Sequence, residues 1–315
     1  MVKDISLFDD AWVFLLEGSN SVRDYYIDNI KVSPENVRGW CDLLERRKQK
    51  CSKNNIRYCH ISAPEKLGVY AEKTDLEVLI ENSPASQIER ALTSDFGVES
   101  WLNPLSYLRA QKNQFQVYSK TDSHWNFYGA FSAYQLLQAK LGLPVNSRIL
   151  DCSREESWTV MDLGAKFDPP LPEKVFYYQV SDNVVRTYSN AIVDFKENTN
   201  RQNDAGLHTG SYVVFENKVP IVEHTVMLFG DSFSEYRPHL LTGMLAETYQ
   251  KVHFIWSSNI DWALVEKFKP DIVLTELAER FMPRIVPADR FSLANYEKQV
   301  LEQYLGLPAA VGSIV

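Results

Sequence analysis

The chain has 315 residues, 45% of them hydrophobic, enough to bury a sizeable core without disulfides or structural metals. Its formal net charge is −8, and the longest basic patch is the short Arg46-Arg47-Lys48-Gln49-Lys50, which argues against a nucleic-acid groove. Four cysteines without a C-x-x-C pair, six scattered histidines and no apolar run near the roughly 18 residues of a membrane span argue against a zinc site, a disulfide framework and a spanning helix.

In chain order, Ser33-Pro34-Glu35 predicts a helix start, with serine as cap and proline in the first turn. Val37, Trp40, Leu43 and Leu44 then form one apolar stripe that would pack on a sheet. The run Ile56 to Ile61 predicts a strand, stopped by Pro64, which cannot donate to a ladder. A strand-like run at Phe115 and Val117 leads into the polar cluster Asp122-Ser123-His124-Trp125. A helix follows, with apolar residues at Ala130, Ala133, Tyr134, Leu137 and Leu141 and Gly142 closing it.

Between Ser157 and Lys218 short strand-like pieces alternate with Asp, Asn and Gly, predicting a β-rich insertion with a polar loop from Glu197 to Gly210. The last third alternates strands near Val226–Phe229, Val252–Trp256 and Asp271–Leu274 with helices near His239–Tyr249 and Asp261–Phe268. Such alternation predicts a parallel sheet covered by helices.

The apolar run His224 to Phe229 delivers Gly230-Asp231-Ser232-Phe233 to the carboxyl end of a strand, where open α/β sheets place their chemistry. Serine attacks a carbonyl only if a base takes its proton and N–H donors receive the oxyanion. A helix starting soon after Ser232 would offer such donors at its N-terminus. His124 is a candidate base and Asp122 a candidate acid to orient it. Trp125 and Tyr128 could stack on a sugar face, and Arg237 could hold an anionic group. Each cluster also has a plainer use: Asp231 or Ser232 as a helix cap, Asp122 and His124 as polar loop residues, and the aromatics as core.

These two segments, Asp-x-His-Trp followed later by Gly-Asp-Ser-Phe, resemble the SGNH-hydrolase-like family of alginate O-acetyltransferases. Further matching stretches are Asp9 to Leu15, Pro64-Glu65-Lys66 with Val69-Tyr70, Lys269 to Val273, and Glu276 to Arg280, so the likeness spans about residues 8 to 285. The resemblance implies a three-layer, flavodoxin-like α/β fold with a central parallel sheet, as one catalytic domain over residues 1–315 with the β-rich insertion at about 157–218. The triad order would be circularly permuted, with the histidine block upstream of the serine block.

Carried over, Ser232 matches the family nucleophile, His124 its base and Asp122 the orienting acid, with Asp231 shaping the turn; the glycine and asparagine blocks of ordinary SGNH enzymes have no match here, and Asn259, just beyond the strand-like run ending at Trp256, is the candidate oxyanion donor. Glu276 and Arg280, at the end of the last clear strand, are expected to form a structural ion pair, with substrate contact as the alternative. The implied activity is O-acetyl transfer to a bacterial polysaccharide or its precursor through an acyl-serine. A carbohydrate acetyl esterase and a non-catalytic glycan-binding or assembly protein are the alternatives. No bound cofactor or metal is expected; the acyl donor would be a soluble thioester such as acetyl-CoA or an acylated partner in the membrane. The N-terminus lacks the layout of a signal peptide, so the chain as given is expected in the cytoplasm, whereas the family resemblance implies the periplasm.

Overall fold

Ser33 Oγ accepts the Asn36 N–H at 3.1 Å and Pro34 occupies the first turn, so the helix Pro34–Ser52 starts where its sequence predicts. The computed structural model describes residues 4–18, 21–92 and 98–305. Its strands are β1 (Ile5–Leu7), β2 (Val13–Leu15), β3 (Arg57–Ala63), β4 (Trp101–Leu102), β5 (Arg154–Val160), β6 (Pro172–Tyr178), β7 (Val184–Ser189), β8 (Tyr212–Asn217), β9 (Val222–Gly230), β10 (Tyr249–Trp256) and β11 (Ile272–Ala278).

One seven-stranded sheet runs β4-β3-β11-β9-β10-β8-β7. The first five strands are mutually parallel, and β8 and β7 extend the sheet antiparallel beyond β10. All of β11 is buried, as is most of β3, which explains their near-continuous apolar sequence. Pleating then sorts alternate residues to opposite faces. Val226 and Leu228 join a core with Ala130, Tyr134, Leu137 and Leu245 from the helices Phe127–Leu141 and Leu241–Thr248. Met227 and Phe229 join the other core, with Trp40, Leu43, Ile88 and Val265. The result is the expected helix–sheet–helix layering. No helix among the described residues is long and apolar enough to cross a membrane.

Three expectations change. The β-rich insertion is not one unit: only β5 and β6 stand apart as a two-stranded ribbon, while β7 and β8 belong to the main sheet. The expected polar loop from Glu197 begins inside the helix Ala191–Asn198. Phe115 and Val117 do not belong to a strand; the only extended pairing there is an isolated bridge between Tyr118 and Trp125. His124 therefore sits on an irregular loop.

Beneath the carboxyl end of the sheet, Arg280 lies 3.0 Å from the Glu65 carboxylate, both side chains about 5% exposed or less. This pair, and not Arg280 with Glu276, is the buried ion pair of the chain's end segment. The contact lies off the hydrogen-bond line, so it acts through charge. Glu279 beside it accepts the Glu65 N–H at 2.8 Å and the Tyr26 hydroxyl; burial and the Glu65 charge raise its pKa to about 7. Removing one partner of a buried pair strands the other's charge, so Arg280→Met is expected to cost about 3–5 kcal/mol. Urea unfolding checks this, and adding Glu65→Gln to the same chain should restore part of the loss.

Candidate active site

The last residue of β9, Gly230, lies against β11, and a Cβ there would stand 2.9 Å from the Ser234 Cβ and 3.0 Å from Glu276 Oε2. Close backbone approach therefore favours glycine. The chain then turns sharply, and Asp231 builds the turn. Its Oδ1 accepts the Phe233 N–H at 2.9 Å, its Oδ2 accepts the Ala278 N–H at 2.8 Å, and its carbonyl accepts the Ser234 N–H at 3.1 Å. The Asp231 N–H goes to Glu276 Oε2 at 3.1 Å. Burial and the neighbouring Asp231 hold the Glu276 carboxyl well above the ordinary range. Asp231 is thus a turn-former, and Glu276 supports the turn from β11.

The turn holds Ser232 half-buried with its hydroxyl facing a loop, residues 118–126, that carries the other polar cluster. That loop is pinned from several directions. Lys66 Nζ donates to the carbonyls of Ser119, Lys120 and Asp122 at 3.0, 2.7 and 2.6 Å. Glu173 accepts the N–H groups of Lys120 and Thr121 at 2.9 and 2.8 Å. Asp162 accepts the Ser123 N–H at 2.8 Å and the Ser123 hydroxyl at 2.5 Å. Asn126 then caps the following helix through the Gly129 N–H at 3.1 Å.

Asp122 Oδ1 lies 2.8 Å from His124 Nδ1, and His124 Nε2 lies 2.7 Å from Ser232 Oγ. An ionised carboxylate only accepts, so in the neutral ring Nδ1 carries the proton and Nε2 is left to accept the serine hydroxyl. Burial alone would favour neutral forms of both groups. Their mutual attraction outweighs it, holding the Asp122 carboxyl well below the usual range and raising the His124 pKa. Side-chain exposures of 17% for His124 and 13% for Asp122 leave one edge of the pair open.

That edge opens into a cavity of about 1160 Å³ lined by Ser232, His124, Tyr128, Arg237 and both strands of the β5–β6 ribbon. Donor atoms of Asp122, His124 and Asp162 lie within 4.8 Å of one another. Both ring nitrogens are committed to Asp122 and Ser232, and both Asp162 oxygens to Ser123, so the cluster is not arranged to hold a cation.

The other sequence-derived candidates fare unevenly. Trp125 is 1% exposed and presents no face to a sugar; its Nε1 donates to the Phe233 carbonyl at 2.9 Å and its ring meets Phe233 edge-on at 5.1 Å. Trp125 therefore braces the serine turn. Trp125→Phe leaves that carbonyl without its donor and is expected to cost about 1–3 kcal/mol in chemical denaturation. Tyr128 does line the cavity, stacked on Phe115 at 4.7 Å with its hydroxyl accepting from Arg154 at 2.9 Å. Arg237 lines it too, but is paired with Glu235 at 2.5 Å.

Asn259 does not line the cavity. Its side-chain oxygen accepts the N–H groups of Ala288 and Asp289 at 3.0 and 2.8 Å, tying down a distant loop. Nor does a helix begin behind Ser232, since the next one starts at Leu241. Among the described residues, the N–H groups of Phe233 and Ser234 are bonded within the turn and that of Asp231 to Glu276, while that of Ser232 has no such partner. Asp162, Glu173 and Lys66 escaped sequence reasoning as site residues because each acts on the loop from elsewhere in the chain.

No protein-family profile matches this chain, and no curated protein sequence does. Solved structures do. Bacillus cereus PatB1 with a sulfonyl adduct is 16% identical, covering 90% of this chain and 98% of its own, with a TM-score of 0.63. A DHHW family protein from Eubacterium siraeum is 15% identical over 92% and 93%, with a TM-score of 0.59. The O-acetyltransferase domain of Pseudomonas putida AlgJ is 13% identical over 94% and 99%, with a TM-score of 0.52. A mixed α/β fold with a central, mostly parallel sheet is therefore shared with these proteins along nearly the whole chain.

Proposed function

We propose that this protein is an SGNH-type O-acyltransferase that moves an acetyl group onto a carbohydrate hydroxyl through an acyl-serine. The observation that carries the reading is the continuous contact from Asp122 through His124 to Ser232, opening into a cavity with aromatic walls. In the first half-reaction Ser232 Oγ attacks the donor's acyl carbon as His124 Nε2 takes its proton. The free Ser232 N–H supplies one oxyanion donor. The donor's leaving group departs with the proton held by His124.

In the second half-reaction the acceptor hydroxyl gives its proton to His124 as its oxygen bonds the acyl carbon. The acyl–Oγ bond breaks and Oγ regains the proton. The O-acetyltransferase domain of AlgJ shares this fold and supports the class of reaction. The sulfonyl adduct on PatB1 suggests the same reagent class as a probe for Ser232. The donor fits a thioester such as acetyl-CoA or an acylated membrane partner, and the choice fixes whether the protein works in the cytoplasm or the periplasm.

One observation favours a second reading, carbohydrate acetyl esterase with the same residues. The side chains of His124 and Asp122 keep 17% and 13% exposure, so water has access to the base. Nitrophenol release from p-nitrophenyl acetate, measured with and without oligosaccharide while acetylated sugar is quantified, separates the two. A transferase diverts the acetyl group to the sugar; an esterase yields acetate in both cases.

A further inference from the structure

The ribbon of β5 and β6 pairs only with itself, in register from Arg154 opposite Tyr178 to Val160 opposite Pro172. Such a two-stranded element is marginal alone in water. Yet it exposes large apolar side chains: Trp158 at 69%, Tyr177 at 44% and Phe176 at 43%. All three line the cavity that holds Ser232. Apolar groups placed there contribute little to a core and are available to a ligand.

The ribbon is also fastened to the loop that carries the histidine. Its turn and second strand supply Asp162 and Glu173, which hold Ser123, Lys120 and Thr121, and the Leu163 and Gly164 N–H groups donate to the Thr121 carbonyl at 3.0 and 3.1 Å. A ligand seated on the ribbon is therefore held in fixed relation to His124. The cavity exceeds the roughly 300–1000 Å³ of a drug-sized site, giving room for more than one sugar unit.

Charge narrows the ligand. The cavity is lined by three Lys or Arg side chains, Lys120, Lys174 and Arg237, against four carboxylates, Asp122, Asp162, Glu173 and Glu235. Each of those cations already has an acidic partner: Lys120 with Asp10 at 2.9 Å, Lys174 with Glu156, and Arg237 with Glu235 at 2.5 Å. Besides His124, the lining histidines are His208 and His239; burial lowers the pKa of both, that of His239 to about 4, so they bring no charge at neutral pH. A chain of uronates would meet four carboxylates and only cations that already have acidic partners, whereas uncharged pyranose rings match exposed aromatic faces.

We propose that the β5–β6 ribbon is the acceptor-binding arm, with Trp158 as its main stacking face, and that it selects an uncharged glycan over a polyuronate. The proposal deepens the acyl-transfer reading and rests on it for the transfer step, while the binding step stands separately. Trp158→Ala and Trp158→Phe would be compared with the parent chain in two measurements. One is saturation-transfer NMR and titration with cellotetraose, chitotetraose and tetragalacturonate. The other is acyl-enzyme formation from p-nitrophenyl acetate, followed by mass.

The expected result is that the parent binds a neutral tetrasaccharide and not tetragalacturonate. Trp158→Ala then weakens that binding roughly tenfold, and Trp158→Phe retains most of it. A thermal melt beside each titration shows that both variants are folded, and acyl-enzyme formation in the parent reports the reaction separately from the binding. Tighter binding of tetragalacturonate, no binding of either neutral sugar, or equal binding by parent and Trp158→Ala would overturn the proposal. An absent acyl-enzyme in the parent, beside intact Trp158-dependent binding, would overturn the reaction instead and leave the arm as a glycan site.

Discussion

Ser232→Ala is expected to lower turnover of an activated acetyl ester by at least about 10³-fold while the fold stays intact. The reasoning is local. Ser232 Oγ makes its contact with His124 Nε2 at 2.7 Å, and the turn around it is held by Asp231 and Glu276, not by the serine hydroxyl. Deleting one half-buried oxygen should therefore change stability by no more than about 0.5 kcal/mol. Residual activity should resemble background hydrolysis accelerated by binding alone. Nitrophenol release gives the rate, and a thermal melt beside it shows that the variant is folded.

Asp122→Asn is expected to be nearly as damaging, with a loss of about 10³–10⁴-fold at neutral pH. An amide can offer its NH₂ to Nδ1, which places the ring proton on Nε2, where it faces Ser232 and cannot accept from it. The pH profile separates this from simple disorder. His124 serves as base only when unprotonated, so parent activity is lost as pH falls through its pKa, which the Asp122 charge raises above the ordinary value of 6.5 against the effect of burial. Without that charge the acid limb should move to lower pH even as the plateau drops. The stability consequence has a definite sign. The folded pKa of Asp122 lies below its unfolded value, so its contribution is present above about pH 4 and is lost as pH falls further.

Much of this was legible in the chain, for identifiable reasons. Strand β9 reads clearly because parallel strands buried on both faces require a continuous apolar run, and the run ends where the serine turn begins. The helix Phe127–Leu141 reads clearly because its core-facing residues recur with helical period and Gly142 closes it with a φ of 63°. The loop bearing His124 has no period to read. Lys66, Asp162 and Glu173, each 39 to 56 residues away, fix its shape.

The same limit explains the misassigned residues. Trp125 looked like a sugar platform, but its indole N–H found the Phe233 carbonyl 108 residues later. Asn259 looked like an oxyanion donor, but its carboxamide ties down a loop 29 and 30 residues on. For the ribbon, alternation of apolar and polar residues cannot tell a strand that joins the main sheet from one that stands apart. The expected insertion therefore groups β6 with β7 and β8, and β5, which begins before Ser157, is not among its strand-like pieces.

The most direct test is intact-mass analysis, with peptide mapping, of the purified protein after brief exposure to p-nitrophenyl acetate. An acyl-serine enzyme should gain a single acetyl group, located on the peptide containing Ser232 and discharged on addition of an acceptor. An acetyl group found only on lysines or the amino terminus, with the Ser232 peptide unmodified under quenching fast enough to trap the intermediate, would contradict the mechanism.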